Sequence, residues 1–351
     1  MIWLVPTPEE QVQFLRNIQR LLAEGLFVAS YKFALVHALA DLAVLKGDDS
    51  GSPLDLDTKD IAAKFVELYW RQCRPFPLGE TSDLIIQQNT GKQAAIISKI
   101  VDSQKKCGAS LFRLKQVAPN QWSELVSEVD QVVRTMPLWR LQTVGEERLD
   151  FLYDNLGRGT RITLKPGIAY CFRAFYELIR NLIEGAWVRF VQKVNASKLG
   201  SVNDLGTFLF GQERASLEVY RPILMDVQNG ICLYCQKNLS NNTEVDHFIP
   251  WSRYPADLGH NFVLAHKGCN NAKSDYVAGE EHLAAWSERN RLHQEVLKSR
   301  LQEAALPCDW SASIQIARWV YQQTDRVKGQ VWVMKNVFQH LSPTWQQKLA
   351  A

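Results

Sequence analysis

No run of 18 uncharged apolar residues occurs anywhere in the 351-residue chain, which leaves no candidate membrane-spanning helix. The opening segment MIWLVPTPEE has no cationic flank and only a four-residue apolar run, so no signal peptide is expected. No motif recurs at a fixed period, which excludes solenoids and propellers. Charge of one sign is scarce as well: 40 Lys and Arg against 37 Asp and Glu leave +3, and global charge does not announce a nucleic-acid binder. The seven cysteines, at 73, 107, 171, 232, 235, 269 and 308, are odd in number and scattered. They argue against a disulfide framework and for a reducing, cytoplasmic setting. What is present, 46% hydrophobic residues, 22% charged and 11 Trp, describes an ordinary globular protein of about two to three domains.

Charge is distributed unevenly along this neutral whole. Arg158 to Lys198 carries eight Lys or Arg against Glu177 and Glu184, and Lys92 to Lys115 carries six against Asp102. Asp41 to Glu67, by contrast, has seven acidic and three basic residues. The basic segments can track phosphates, or can simply be solvated helix faces.

Apolar residues at three- and four-residue spacing predict helices over 9–24, 27–46, 58–72, 91–103 and 121–135, with the Thr58 hydroxyl available as a cap. Residues 149–153 and 160–164 read as a short hairpin around 155–159. Pro166 then opens one long amphipathic helix to about Val194, with Ile168, Phe172, Phe175, Ile179, Leu182, Ala186 and Phe190 as its apolar stripe. Arg173 with Glu177, and Arg180 with Glu184, can pair along its wet face. Further helices are expected over 213–228, 280–305 and 311–323. The expected fold class is mainly α with a small α+β module. Its parts are a helical N-terminal domain (1–145), a hairpin and long basic helix (146–212), a compact module (213–278) and a C-terminal helical segment (279–351).

Chemistry concentrates between Cys232 and Asp275. Cys232-x-x-Cys235 and His266-x-x-Cys269, separated by 30 residues, are two knuckles able to close a tetrahedral Cys3His site, which suits a structural zinc ion. Inside this bracket Val245-Asp246-His247-Phe248-Ile249-Pro250 presents an acid beside an imidazole in a strand-like frame. Adjacent strand residues face opposite ways, so the chain must bend after them if both serve one site. Asn261 precedes a short apolar run and Asn270 follows the last cysteine. Asp246 and Asn270 thus offer oxygen ligands to a second, hard metal such as magnesium.

This constellation resembles the HNH endonuclease family, whose core is a ββα-metal (His-Me finger) motif. The resemblance rests on Asp246-His247, Asn261 fifteen residues after Asp246, Asn270 nine residues later, and the flanking knuckles. It covers about 45 residues. Asn270 stands where the family often has His, and His266 where Cys is more usual. Two longer phrases, YKFALVHALADLAV and DHFIPWSRYPADLGHNFVLAH, also look like a subgroup of long HNH proteins with a helical front end. The resemblance implies that Asp246 and Asn270 hold magnesium or another divalent metal, that His247 is the general base and that Asn261 pins the loop orienting it. It further implies hydrolysis of phosphodiester bonds, with DNA favoured over RNA as partner, to give 5′-phosphate and 3′-hydroxyl ends. Arg253, Lys267 and Lys273 are expected phosphate contacts, joined by Arg189 and Lys193 on the long helix. A role as effector of a bacterial antiviral or restriction system, with a protein partner on the N-terminal helices, is a further expectation. The alternative from another class is a non-catalytic, zinc-stabilised nucleic-acid-binding or scaffold protein. Trp251 and Tyr254 are read as core rather than base-stacking residues.

Overall fold

The computed structural model describes residues 4–25, 27–77, 84–154, 159–199, 204–211, 217–239 and 242–349. The chain is mainly α with a small α+β module, and it divides into two compact units, Met1–Gln212 and Glu213–Ala351. Among the described residues no helix is long and apolar enough to cross a membrane.

The first unit is organised around the helix Tyr31–Lys46, buried from Tyr31 to Val44, with apolar residues on every face and Lys32, His37 and Asp41 as the polar exceptions. Thr58–Trp70, Ile168–Ala174 and Tyr176–Val194 pack against it. The first helix, Pro8–Glu24, begins with a reciprocal cap: Glu10 N–H donates to Thr7 Oγ1 at 3.2 Å, and Thr7 N–H to Glu10 Oε2 at 2.7 Å.

Three local expectations need correction in this unit. Thr58 does not cap its helix. It is the first helical residue, fully buried, and its hydroxyl has no hydrogen-bond partner. The strand Arg161–Leu164 pairs antiparallel with Leu54–Asp57, while the 149–153 arm contributes only a bridge from Tyr153 to Leu164. The intended turn at 155–158 lies outside the described residues. The long helix breaks at Phe175, so that Tyr176, Ile179, Ile183, Trp187 and Val191 form the buried stripe and Leu182 is exposed. Arg173, expected on the wet face, is buried against the C-terminal end of helix Tyr31–Lys46. There it donates to the Ala43, Val44 and Gly47 carbonyls and pairs with Asp49 at 2.6 Å. A cation at a helix C-terminus meets carbonyls with no intrahelical partner. Arg180 and Glu184 do pair, at 3.7 Å.

The second unit is built on the antiparallel strands Thr243–His247 and Phe262–His266, followed directly by the helix Lys267–Lys273. Alternation along the strands sends Val245, Phe262 and Leu264 into a core with Tyr220, Leu224, Leu297 and Leu301. The expected 280–305 helix is two, Glu280–Leu292 and Gln294–Glu303, and the 213–228 helix shrinks to a 3-10 turn, Leu217–Tyr220, and Arg221–Val227. Residues 213–216 lie outside the described residues. The helix Trp310–Arg326 and a hairpin of Gln330–Met334 with Val337–His340, which periodicity did not reveal, complete the unit.

Candidate active site

The knuckle turn comes first in sequence. Gln236 takes positive φ, which lets Cys232 N–H donate to Lys237 O and Gln236 N–H to Cys232 O. Leu233 N–H donates to Leu264 O, which ties the turn to the second strand. Cys232, Cys235, His266 and Cys269 then bring their ligand atoms within 4.8 Å of one another, with Cys235 Sγ and His266 Nδ1 3.3 Å apart. A tetrahedron with metal–sulfur bonds of about 2.3 Å has edges of about 3.8 Å, so the four atoms can hold a zinc ion. His266 Nε2 donates to Asn238 O at 3.0 Å, which leaves Nδ1 as the lone-pair nitrogen facing the thiols. Burial, then the neighbouring Cys232 and Cys235, push the Cys269 thiol up to about 12. Without a cation, the Cys269 sulfur holds its proton.

The first strand carries Glu244 and Asp246 two residues apart, hence on one face. The helix Lys267–Lys273 lies across that face, with Asn270 and Lys273 three residues apart and aimed at it. Asn270 Nδ2 donates to Glu244 Oε2 at 2.8 Å, and Lys273 Nζ lies 3.0 Å from Asp246 Oδ2. Tyr234, in the knuckle, donates its hydroxyl to the same Oδ2 at 2.5 Å. Burial, then the Asp246 carboxylate, raise the Tyr234 phenol well above its ordinary range, so it stays a donor. With Nδ2 on Glu244, the Asn270 carbonyl and the second oxygen of Asp246 are the oxygens that could be offered to a hard divalent cation.

His247 leaves the strand on the opposite face. Its ring packs on Phe262, its cross-strand partner, at 4.7 Å and on Trp251 at 5.7 Å. Its Nε2 is 2.8 Å from Asp257 Oδ1. That bond puts the proton on Nε2 and leaves Nδ1 as an acceptor, without a hydrogen-bond partner among the described residues. The chain bends directly after it, as two-sided use of the strand end requires. Asn261 holds the bend: Ile249 N–H donates to its Oδ1 at 2.8 Å, its Nδ2 donates to Ile249 O at 3.0 Å, and Phe248 N–H donates to its backbone carbonyl.

The structure therefore brings Asp246, Asn270, His247 and Asn261 onto one ββα unit. Residues 232–278 match the model of the HNH endonuclease family. No curated protein and no solved structure gives a match. The strands, the helix and the Cys3His cluster, which could hold a zinc ion, all lie within the segment that matches this family.

Among the phosphate contacts expected for this module, Arg253 and Lys267 are exposed, Lys267 lying 3.7 Å from Glu244 Oε1. Lys273 is different. It is fully buried and its ammonium is committed to Asp246 and, at 2.9 Å, to the His247 carbonyl, so it is not offered to a substrate in this arrangement. Arg189 and Lys193 lie on the helix Tyr176–Val194 of the first unit. Tyr254 is buried against Trp319, whereas Trp251 is half-buried beside the imidazole.

Four residues escaped sequence reasoning. Glu244 was signalled by the period of two with Asp246. Asp257 sits in a loop without pattern, its only clue being an acid between His247 and Asn261. Tyr234 lies hidden between two cysteines. Arg289, from the C-terminal helix Glu280–Leu292, is buried and donates to the Phe262 and His260 carbonyls at 2.7 and 2.9 Å. Trp286 Nε1 and Asn290 Nδ2 donate to the same His260 oxygen. This helix therefore clamps the backbone on both sides of Asn261.

Proposed function

We propose that the chain is a metal-dependent endonuclease that hydrolyses phosphodiester bonds in DNA. The observation that carries the proposal is the His247–Asp257 bond, which engages Nε2 and leaves Nδ1 as the ring nitrogen open to a water proton, at the end of a strand whose other face bears Glu244 and Asp246. In this reading Nδ1 takes the proton of a water molecule as its oxygen bonds to phosphorus, and the bond from phosphorus to the 3′ oxygen breaks. The products are a 5′-phosphate and a 3′-hydroxyl. Asp257 fixes the imidazole tautomer, and Asn261 fixes the backbone that carries the ring. Asp246 and Asn270, with Glu244 beside them, would hold magnesium or a similar cation, which supplies stabilisation of charge on the phosphate and the departing oxygen. Zinc at Cys232, Cys235, His266 and Cys269 is structural, since four protein ligands leave no open position. Arg253 and Lys267, with Arg189 and Lys193, contact phosphates.

A second reading, a zinc-stabilised nucleic-acid-binding or scaffold protein without catalysis, draws on the Lys273–Asp246 pair: a cation already neutralises the carboxylate. Incubating supercoiled plasmid with the purified chain and magnesium, manganese or chelator decides between them, with His247→Ala of equal zinc content alongside. Metal-dependent nicking lost in the variant is the expected result. DNA binding without cleavage under any metal would point to the second reading or to a missing activator, which capture of a partner followed by the same cleavage assay separates.

On the nuclease reading we also place the chain as effector of a bacterial antiviral or restriction system in the cytoplasm, with its helical first unit engaging a protein partner. The attachment of a large helical unit to a small nuclease module supports this. Co-purification of a partner from the host is expected; full, unregulated cleavage by the isolated chain would overturn it.

A further inference from the structure

The first unit contains a cleft of about 440 Å³ whose lining is apolar except for two cations and a few neutral polar groups. Lys32, on the helix Tyr31–Lys46, and Arg140, at the end of the short helix Pro137–Arg140, both line it. Lys32 is only 8% exposed, yet its single hydrogen bond is to the Thr143 carbonyl at 3.0 Å. Arg140 makes no hydrogen bond or ion pair among the described residues. Among the described residues no carboxylate pairs with either, and no acidic residue lines the cleft.

Several other cations of this unit are paired with carboxylates. Lys64 and Lys115 share Glu67, Arg173 has Asp49 and Arg180 has Glu184. A buried ammonium without a counter-ion is costly, and a second cation facing it adds repulsion. Burial, then Arg140, indeed hold the Lys32 ammonium below its ordinary lysine range. Such an arrangement is relieved when an anion enters. The remaining walls describe the rest of that ligand: Val28 and Met136 are large apolar side chains left 62% and 47% exposed, and Pro137 and the edge of Tyr31 lie beside them. A cleft of this volume falls within the range of small-molecule sites.

We propose that this cleft binds a small organic anion, a phosphate or carboxylate group carried on a flat apolar body, with Lys32 and Arg140 gripping the anionic head. The proposal is independent of the nuclease reading, since it concerns only residues of the first unit and is tested by binding.

The probe is 1-anilinonaphthalene-8-sulfonate, titrated by fluorescence into the full chain. One saturable site is expected. Lys32→Met and Arg140→Gln should each weaken it at least about tenfold, as loss of a charged hydrogen bond implies. Arg140→Gln alters an exposed, unpaired side chain, so it keeps the test intact if Lys32→Met does not fold. Lys59→Gln, an exposed position outside the cleft, should change nothing. N-phenyl-1-naphthylamine, which has the rings without the sulfonate, should bind at least about tenfold more weakly. Displacement by phenyl phosphate or by benzoate identifies the head group, and displacement by neither overturns the proposal. Equal affinity in Arg140→Gln, or for the neutral analogue, overturns it as well.

Discussion

Lys273 Nζ lies 3.0 Å from Asp246 Oδ2 and 2.9 Å from the His247 carbonyl, so a single buried ammonium joins neighbouring residues whose side chains leave the strand on opposite faces. The pair is almost withdrawn from solvent, with side-chain exposures of 1% and 12%. Removing the ammonium leaves a carboxylate whose remaining support is the Tyr234 hydroxyl. Lys273→Met is expected to cost about 3 kcal/mol in urea unfolding of the zinc-loaded protein without added magnesium or manganese. Because a divalent cation can take over the neutralisation of Asp246, magnesium or manganese should recover much of that loss in the variant and little in the parent. Equal stabilisation of both proteins by the metal would show that Asp246 is not where the cation binds.

The imidazole of His247 depends on Asp257 for its tautomer. Asp257→Asn keeps the shape of the loop but replaces an acceptor oxygen by an amide that can present its N–H to the ring, which favours the wrong nitrogen as base. Plasmid cleavage should fall about 10- to 100-fold, the range found when the partner orienting a functional histidine is removed. Zinc content and thermal midpoint should stay unchanged. An unaltered rate would mean that the Nε2 bond has no part in the reaction.

The parts of the site that sequence made legible are those whose partners lie close along the chain or repeat a fixed spacing. The two knuckles announce themselves as C-x-x-C and H-x-x-C, and their four ligand atoms do converge. Asp246 and His247 are neighbours, and strand alternation alone predicts their opposite directions. Lys273 was read as a surface cation because charge says nothing of direction. Helix phase would have corrected this: three residues beyond Asn270, it must face the same strand. Asp257 and Arg289 were invisible for a different reason. One hangs in an irregular loop, and the other reaches in from a helix beyond the motif, where only tertiary packing decides what it touches. The same holds in the first unit. Arg161–Leu164 pairs with a strand about a hundred residues earlier, and Arg173 turns inward to meet carbonyls that periodicity cannot see.

Zinc should be a condition of folding for the second unit and not for the first. The Cys3His cluster links the knuckle to the start of helix Lys267–Lys273, which carries Asn270, whereas the first unit has its own core around Tyr31–Lys46. One zinc per chain is expected by elemental analysis. Cys269→Ser or prolonged chelation should abolish the unfolding transition of the second unit, since binding energy at a structural site is folding energy. The transition of the first unit should survive. A chelated chain with both transitions intact would show that the four residues do not hold a folding metal.

His260 sets the acid limit of the second unit. It is 2% exposed, its ring packs on Trp310 at 5.7 Å, and neither ring nitrogen has a hydrogen-bond partner. Burial, then the neighbouring Arg289, push its pKa down to about 4 from the ordinary 6.5. Above pH 6.5 the residue is neutral whether folded or unfolded and imposes no penalty. As pH falls from 6.5 towards 4 the unfolded chain takes up a proton that the folded chain refuses, and stability declines through that window. The loss levels off below pH 4 at about 3 kcal/mol. Carboxylates add their own acid sensitivity, so the informative quantity is the difference from His260→Phe, which cannot titrate. Urea midpoints of the two proteins should diverge steadily from pH 6.5 down to 4, with the variant retaining more of its neutral-pH stability. Parallel curves would mean that His260 is protonated in the folded state as readily as in the unfolded one.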